Sequence, residues 1–269
     1  MITTSQTGLA EINGAKLYYE VKGEGQPLLL VHGYPLDSRM WDLQFETLSQ
    51  HFKVIRFDFA GHGHSAVHDN DFDLVEDIKE LLDYLGMKKT HLAGLSIGGN
   101  LCMDFTLSYP EMVEKLILVS TGLLGWTEFS PERKNYLEEF TKCQQKGSLE
   151  DITQLMAKAW VAGPFRSIDE MNSEVVQNYS TMIRNNLTRE KGKGKMILPE
   201  KKTIEVVENI SVPTLIVSPD IDFPDFKAIA YYLNEQIENS QMVVLPVTAH
   251  LLNMEKPNEF NQHVLNFLK

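Results

Sequence analysis

The sequence is poor in cysteine: only Cys102 and Cys143 occur in 269 residues, far from any CxxC or multi-cysteine spacing. That argues against a disulfide framework or a cysteine-held zinc site and leaves both as reduced, structural residues. Positive charge is also scarce. Lys and Arg number 25 against 37 Asp and Glu, a formal net charge of −12, so phosphate backbones and anionic membrane surfaces are repelled rather than recruited. Nucleic acid and membrane are therefore not expected partners. Long hydrophobic runs are missing as well, and a stretch such as Leu28-Leu29-Leu30-Val31 is far too short to span a bilayer. The opening residues, Met1 through Gly8, have neither a basic region nor an apolar one, which makes the cytoplasm the default compartment.

What is present suits a folded domain. Hydrophobic residues make up 43% and charged residues 23%, ordinary values for a globular chain, and the length permits one core with an inserted second unit. Alternating apolar and polar residues either side of Asn13-Gly14 read as an antiparallel hairpin. The apolar run from Pro27 to Val31 then reads as a strand buried on both faces, as in a parallel sheet. From there strands over 53–57, 91–95 and 116–119 alternate with helical patterns over 74–85 and after Ser96. The rhythm returns late, with strands over 214–218 and 242–245, a helix from about Asp225 and a closing helix after Pro257. Between about Thr121 and Lys202 the strand signal vanishes and helical patterns rich in Met, Trp and Tyr take over. The expected division is a core from 1–120 and 203–269 with a helical cap over 121–202. The basic run from Lys191 to Lys195 has no strand before it and no capped helix after it, so it reads as a solvated loop.

Gly94-Leu95-Ser96-Ile97-Gly98 carries G-x-S-x-G between a buried strand and a helix, the setting in which a sharp turn exposes a nucleophilic serine. The glycines two residues either side lack the Cβ atoms that would collide across such a turn. A serine hydroxyl is a weak nucleophile near neutral pH and needs a base oriented by a third group. Of eight histidines, His250 is best placed, on a loop past the last strand at the sheet edge where Ser96 emerges. The orienting acid is expected on the loop after the 214–218 strand. Asp222 is favoured, Asp220 is its rival, and Asp225 is assigned to capping the next helix. Backbone N–H groups of Tyr34 and Ile97 would hold an oxyanion. His32 reads as a turn-stabilising residue. His62, His64 and His68 near Asp58 and Asp69 do not match metallohydrolase spacing and read as a surface turn.

Together, His32-Gly33, the Gly94–Gly98 motif, the Asp222 loop and His250 resemble the α/β-hydrolase superfamily over nearly the whole chain. Two further segments agree: Asp58 through Ser65 resembles its D-x-x-G-x-G-x-S turn, and His250 through Pro257 its H-x-x-x-x-E-x-P ending. Arg39-Met40-Trp41-Asp42 is similar to small esterases, enol-lactonases and perhydrolases, although Ile97 follows the serine where perhydrolase-like members place Met. The resemblance implies an α/β fold with a mostly parallel wound sheet, an N-terminal antiparallel hairpin and a helical cap. It also implies a serine hydrolase that cleaves a small-molecule ester or lactone through an acyl-enzyme. No metal or organic cofactor is expected, and the chain is expected as a monomer or homodimer. A C–C bond hydrolase and a slowly reacting ligand receptor on the same fold are the alternatives. Trp126, Phe129, Trp160 and Phe165 in the cap are the candidates to line the substrate pocket.

Overall fold

A computed structural model describes residues 5–269; the first four residues of the N-terminal stretch read above for targeting signals lie outside the described residues. In chain order the main elements are β1 (Gln6–Ile12), β2 (Ala15–Lys22), β3 (Pro27–Val31), α1 (Asp42–Leu48), β4 (Lys53–Phe57), α2 (Leu74–Tyr84), β5 (Thr90–Leu95), α3 (Ile97–Ser108) and β6 (Val113–Val119). There follow α4 (Pro131–Lys146), α5 (Leu149–Ala157), α6 (Ser173–Leu187), β7 (Thr214–Pro219), α7 (Pro224–Gln236), β8 (Ser240–Leu245), α8 (Leu252–Glu255) and α9 (Pro257–Leu268). The eight strands form one sheet in the order β1-β2-β4-β3-β5-β6-β7-β8, antiparallel across β1, β2 and β4 and parallel beyond. The opening hairpin turns on Asn13 and Gly14, both at positive φ (48° and 84°), the backbone that an Asn-Gly pair adopts with least strain.

β3 is apolar at every position because both of its faces are covered. In β3, Leu29 and Val31 join α2, α3 and α7 residues such as Ile78, Phe105 and Leu233. Leu28 and Leu30 point the other way, into a cluster with Leu48, Phe260 and Val264. The pleat sends alternate side chains to opposite faces, so a run that looks unpatterned in sequence feeds two cores. Tyr179, Met182 and Ile183 of α6 and Val161 join this second cluster, so the helical insert between β6 and β7 is packed on the sheet rather than tethered to it.

The 58–65 turn is held from inside. Asp58 Oδ1 accepts from the Ser38 amide (2.7 Å), Oδ2 from the His64 amide (2.8 Å), and Ser65 Oγ donates to the Asp58 carbonyl (2.6 Å). The basic 191–195 run is an irregular loop whose three lysines are exposed, as expected, while its two glycines are packed. Gly192 and Gly194 lie against the carbonyls of His68 and Asn70, and the Lys195 carbonyl and Phe72 amide bond at 3.0 Å, which sets Met196 beside Phe72. A side chain at either glycine would collide with backbone, so the glycines matter there more than the lysines do. No helix among the described residues is long and apolar enough to cross a membrane.

Candidate active site

At the carboxyl ends of the parallel strands, the edge at which wound α/β sheets hold their ligands, the loops after β7 and β8 meet at Asp222 and His250, and Phe226, which touches His250, lines the cavity at Ser96 after β5. Ser96 follows β5 at φ 58°, ψ −119°, a conformation that costs on the order of 1–3 kcal/mol and persists only where surroundings impose it. Those surroundings are backbone. Ser96 N–H donates to Val119 O (3.0 Å), and Ser96 O accepts from Gly99, Asn100 and Gly122 amides at 3.0–3.2 Å. A Cβ on Gly94 would strike the Gly98 carbonyl, and one on Gly98 would stand 2.5 Å from the carbonyl oxygens of Val31 and His32. The motif's glycines are therefore required by close approach on both sides of the turn.

His250 and Asp222 are brought together. Nδ1 of the histidine lies 2.7 Å from Asp222 Oδ2, with both side chains almost fully buried. A carboxylate accepts only, so Nδ1 carries the proton and Nε2 is left as a lone-pair acceptor. Asp222 Oδ1 takes the Phe223 amide (2.7 Å). Asp220 is turned elsewhere: its Oδ1 accepts from the Thr248 amide at 3.1 Å, while the Ile221 amide donates to Thr248 O, also at 3.1 Å. The imidazole packs against the rings of Trp160 and Phe226, with centroids at 4.5 and 4.4 Å, and those two rings also touch each other (5.8 Å). Among the described residues, Ser96 Oγ and the amides of Tyr34 and Ile97 take part in no hydrogen bond. Gly33 approaches so closely that a Cβ there would meet Ser96 Cβ at 3.5 Å, which sets the Tyr34 loop beside the serine.

His32 supports that loop. It is fully buried, Nδ1 donates to Gly33 O (2.9 Å) and Nε2 accepts from the Phe59 amide (3.0 Å). Burial pulls its pKa down to about 4, so the ring stays neutral and this pattern holds at ordinary pH. His62 and His68 diverge, the former to Ala60 O (3.1 Å) and the latter to Asp77 (2.8 Å). Among the described residues no group of three or more His, Cys, Asp or Glu side chains is arranged to hold a metal ion.

A cavity of about 280 Å³ opens at Ser96 and Ile97. It is walled mainly by apolar side chains, Leu101, Leu123, Ile197 and Phe226 among them, with Arg133 of α4 at its edge. A second cavity, of about 640 Å³, lies by Tyr34, His62 and Asn186. Of the four aromatics proposed from sequence, Trp160 packs on His250. Trp126 packs on Tyr232 and with Phe129 borders a separate surface depression, and Phe165 is largely exposed. Phe226 and Arg133 were not foreseen. Asp225 does not cap its own helix as expected: its carboxylate accepts from the Ser130 amide (3.0 Å) and hydroxyl (2.5 Å), tying the start of α4 to α7. Asn186 of α6 is a second tie, donating to Pro35 O (2.9 Å) and accepting from the Gly63 amide (2.9 Å).

Residues 26–257 match the family model described as alpha/beta hydrolase fold. The chain belongs to this family. Among similar proteins is a pimeloyl-[acyl-carrier protein] methyl ester esterase of Aliivibrio fischeri (strain MJ11), 28% identical over 94% of this chain and 97% of the relative. The carboxylesterase YbfK of Bacillus subtilis (strain 168) is 27% identical over 90% of this chain and 79% of its own length. A solved thermophilic esterase from Thermogutta terrifontis, described as malate bound, superposes with a TM-score of 0.76 at 26% identity, covering 100% of this chain and 98% of that one.

Proposed function

We propose that this chain is a carboxylic-ester hydrolase that cleaves a small-molecule ester with Ser96 as nucleophile, His250 as base and Asp222 as orienting acid. The observation that carries the reading is Ser96 held in its strained turn at the mouth of an apolar cavity. Esterase relatives spanning the whole chain support it.

In this mechanism Ser96 Oγ attacks the ester carbonyl as its proton passes to His250 Nε2. Asp222 keeps the other ring nitrogen protonated and stabilises the imidazolium that forms. Charge developing on the carbonyl oxygen is met by the Tyr34 and Ile97 amides, the latter at the positive end of α3. Collapse expels the alcohol, protonated by His250, and leaves an acyl-Ser96 ester. Water attacks that ester with His250 again as base, releasing the acid and restoring the serine. The acyl group is assigned to the cavity at Ser96 and the leaving group to the side of Tyr34. Residues 121–202 are read as a cap over this site, with 1–120 and 203–269 as the core. A cytoplasmic location fits two free cysteines, one of them buried.

The test is steady-state hydrolysis of short p-nitrophenyl esters by the wild type and Ser96→Ala. Turnover that falls by on the order of a thousandfold or more in the variant is expected. Absence of turnover in well-folded wild-type protein would instead favour a receptor that uses the same pocket.

A further inference from the structure

Arg133 is a cation without a counterion. Its guanidinium carbon stands over the rings of Trp160 (4.6 Å), Phe223 (5.4 Å), Phe226 (5.5 Å) and Tyr136 (5.5 Å), and Nη1 is buried with no hydrogen-bond partner. Among the described residues it makes no ion pair. The two nearby carboxylates are already engaged, Asp222 by His250 and the Phe223 amide, and Asp225 by Ser130. Burial among rings disfavours the charged form and pulls the arginine below its ordinary pKa. Cation–π attraction offsets part of that cost but supplies none of the five N–H donors with an acceptor. A structural role alone would be served better by an apolar side chain of similar size.

Its placement gives the charge a use. Arg133 borders the same cavity as Ser96. Trp160 and Phe226, two of the rings it stands over, are also the two rings in contact with the His250 imidazole, which places the guanidinium carbon within about 9 Å of the imidazole centre. The cavity's own acids do not neutralise it. Asp73 accepts from the Val75 amide at the start of α2, Asp104 accepts from the side chains of Thr203 and Asn100, and among the described residues neither forms an ion pair with Arg133.

We propose that Arg133 is a specificity-determining residue that pairs with a free carboxylate on the acyl part of the substrate, making half-esters of short dicarboxylic acids, or lactones bearing a carboxylate, the preferred substrate class. The inference rests on Ser96 being the nucleophile that opens onto this cavity. A planar guanidinium fork matches a carboxylate in two parallel hydrogen bonds, and the surrounding rings keep water from competing for them. The short distance between cation and base limits the spacer between the two carbonyl carbons to a few atoms.

Two measurements separate this proposal from the hydrolase reading itself. The first compares kcat/KM for monomethyl and dimethyl glutarate by pH-stat in the wild type, Arg133→Gln and Arg133→Lys. The wild type is expected to favour the half-ester by at least about tenfold. Arg133→Gln should cut the half-ester value ~10–100-fold more than the diester value, with Arg133→Lys between them, since it keeps the charge but loses the fork. The second is calorimetric binding of glutarate to Ser96→Ala and to Ser96→Ala/Arg133→Gln, which needs no turnover. Binding that requires Arg133 in a protein with no esterase activity would keep the anion site and overturn the hydrolase. Equal loss on both esters in Arg133→Gln, or glutarate binding indifferent to that change, would reduce Arg133 to packing and overturn the proposal.

Discussion

Arg166 of the helical insert and Glu255, five residues past His250, form a largely buried ion pair at 2.9 Å. Glu255 Oε1 also accepts from the amide of Ala249, immediately before the histidine, at 2.8 Å. The same arginine donates to the carbonyls of Ala162 (2.8 Å) and Val161 (3.2 Å) at the end of the π-helical turn that carries Trp160. One pair thus fixes the loop of the imidazole relative to the ring packed on it. Removing either partner leaves the other charge buried and unpaired, at a cost of about 3–5 kcal/mol. Glu255→Ala is expected to lower Tm by roughly 10 °C and to reduce kcat far more than KM. Glu255→Gln, which still accepts from Ala249, should recover most of kcat but little of the stability. Recovery of both or of neither would mean that Glu255 does not position His250.

The two aspartates of the β7 loop are expected to separate cleanly. Asp222→Asn replaces the acceptor facing His250 Nδ1 and favours the wrong tautomer, so kcat should fall by ~10⁴ with the fold intact. Asp220→Asn can still accept from the Thr248 amide through its amide oxygen, and a loss within about tenfold is expected. Reversed magnitudes in steady-state assays would move the orienting role to Asp220.

These two residues also mark where the sequence stops being legible. Strand after strand could be read because the double burial of β3, β5, β6 and β7 demands unbroken apolar runs, and Ser96 because its turn demands glycine at fixed offsets. Asp220 and Asp222 differ only in which way a three-residue loop turns. That is decided by the exchange of hydrogen bonds with Thr248, a residue 28 positions later that leaves no local pattern. Arg133 was invisible for the same reason in stronger form. It lies in a charged, largely exposed helix, and two of its ring neighbours, Phe223 and Phe226, come from about ninety residues away. Trp126 and Phe129 show the limit of aromatic content as a guide: in the structure Trp126 packs on Tyr232 and Phe129 is exposed, away from the cavity at Ser96.

The glycines of the elbow should tolerate nothing larger. In Gly98→Ala the new methyl meets backbone oxygens of Val31 and His32 that belong to β3 and its following loop and have no room to retreat. Loss of soluble protein or of nearly all activity is expected. Gly122→Ala is the control: its Cβ comes only to 3.8 Å from Ser96 O, an ordinary contact, although Gly122 borders the same cavity. Activity of Gly122→Ala within about threefold of wild type, with Gly98→Ala inactive, separates close approach from mere proximity; equal tolerance would sink the steric account.

Asp104 makes stability depend on pH in a direction opposite to most carboxylates. Burial raises its pKa from 3.8 to about 6, against the opposing pull of hydrogen bonds from Thr203 Oγ1 (2.7 Å) and Asn100 Nδ2 (2.7 Å). Between pH 4 and 6 the folded protein therefore holds a proton that the unfolded chain has released, and stability from this group falls as pH rises through that window. Asp104→Asn is neutral throughout, can accept from Asn100 with its amide oxygen and can donate to Thr203 with its nitrogen. Relative to wild type it should gain stability between pH 4 and 6 and keep the gain above, by at most about 3 kcal/mol for a shift of about two units. Calorimetry at pH 4.5 and 7.5 checks it. A Tm difference between variant and wild type that grows by several degrees toward pH 7.5 is expected, and a difference independent of pH would show that Asp104 titrates as it does in the unfolded chain.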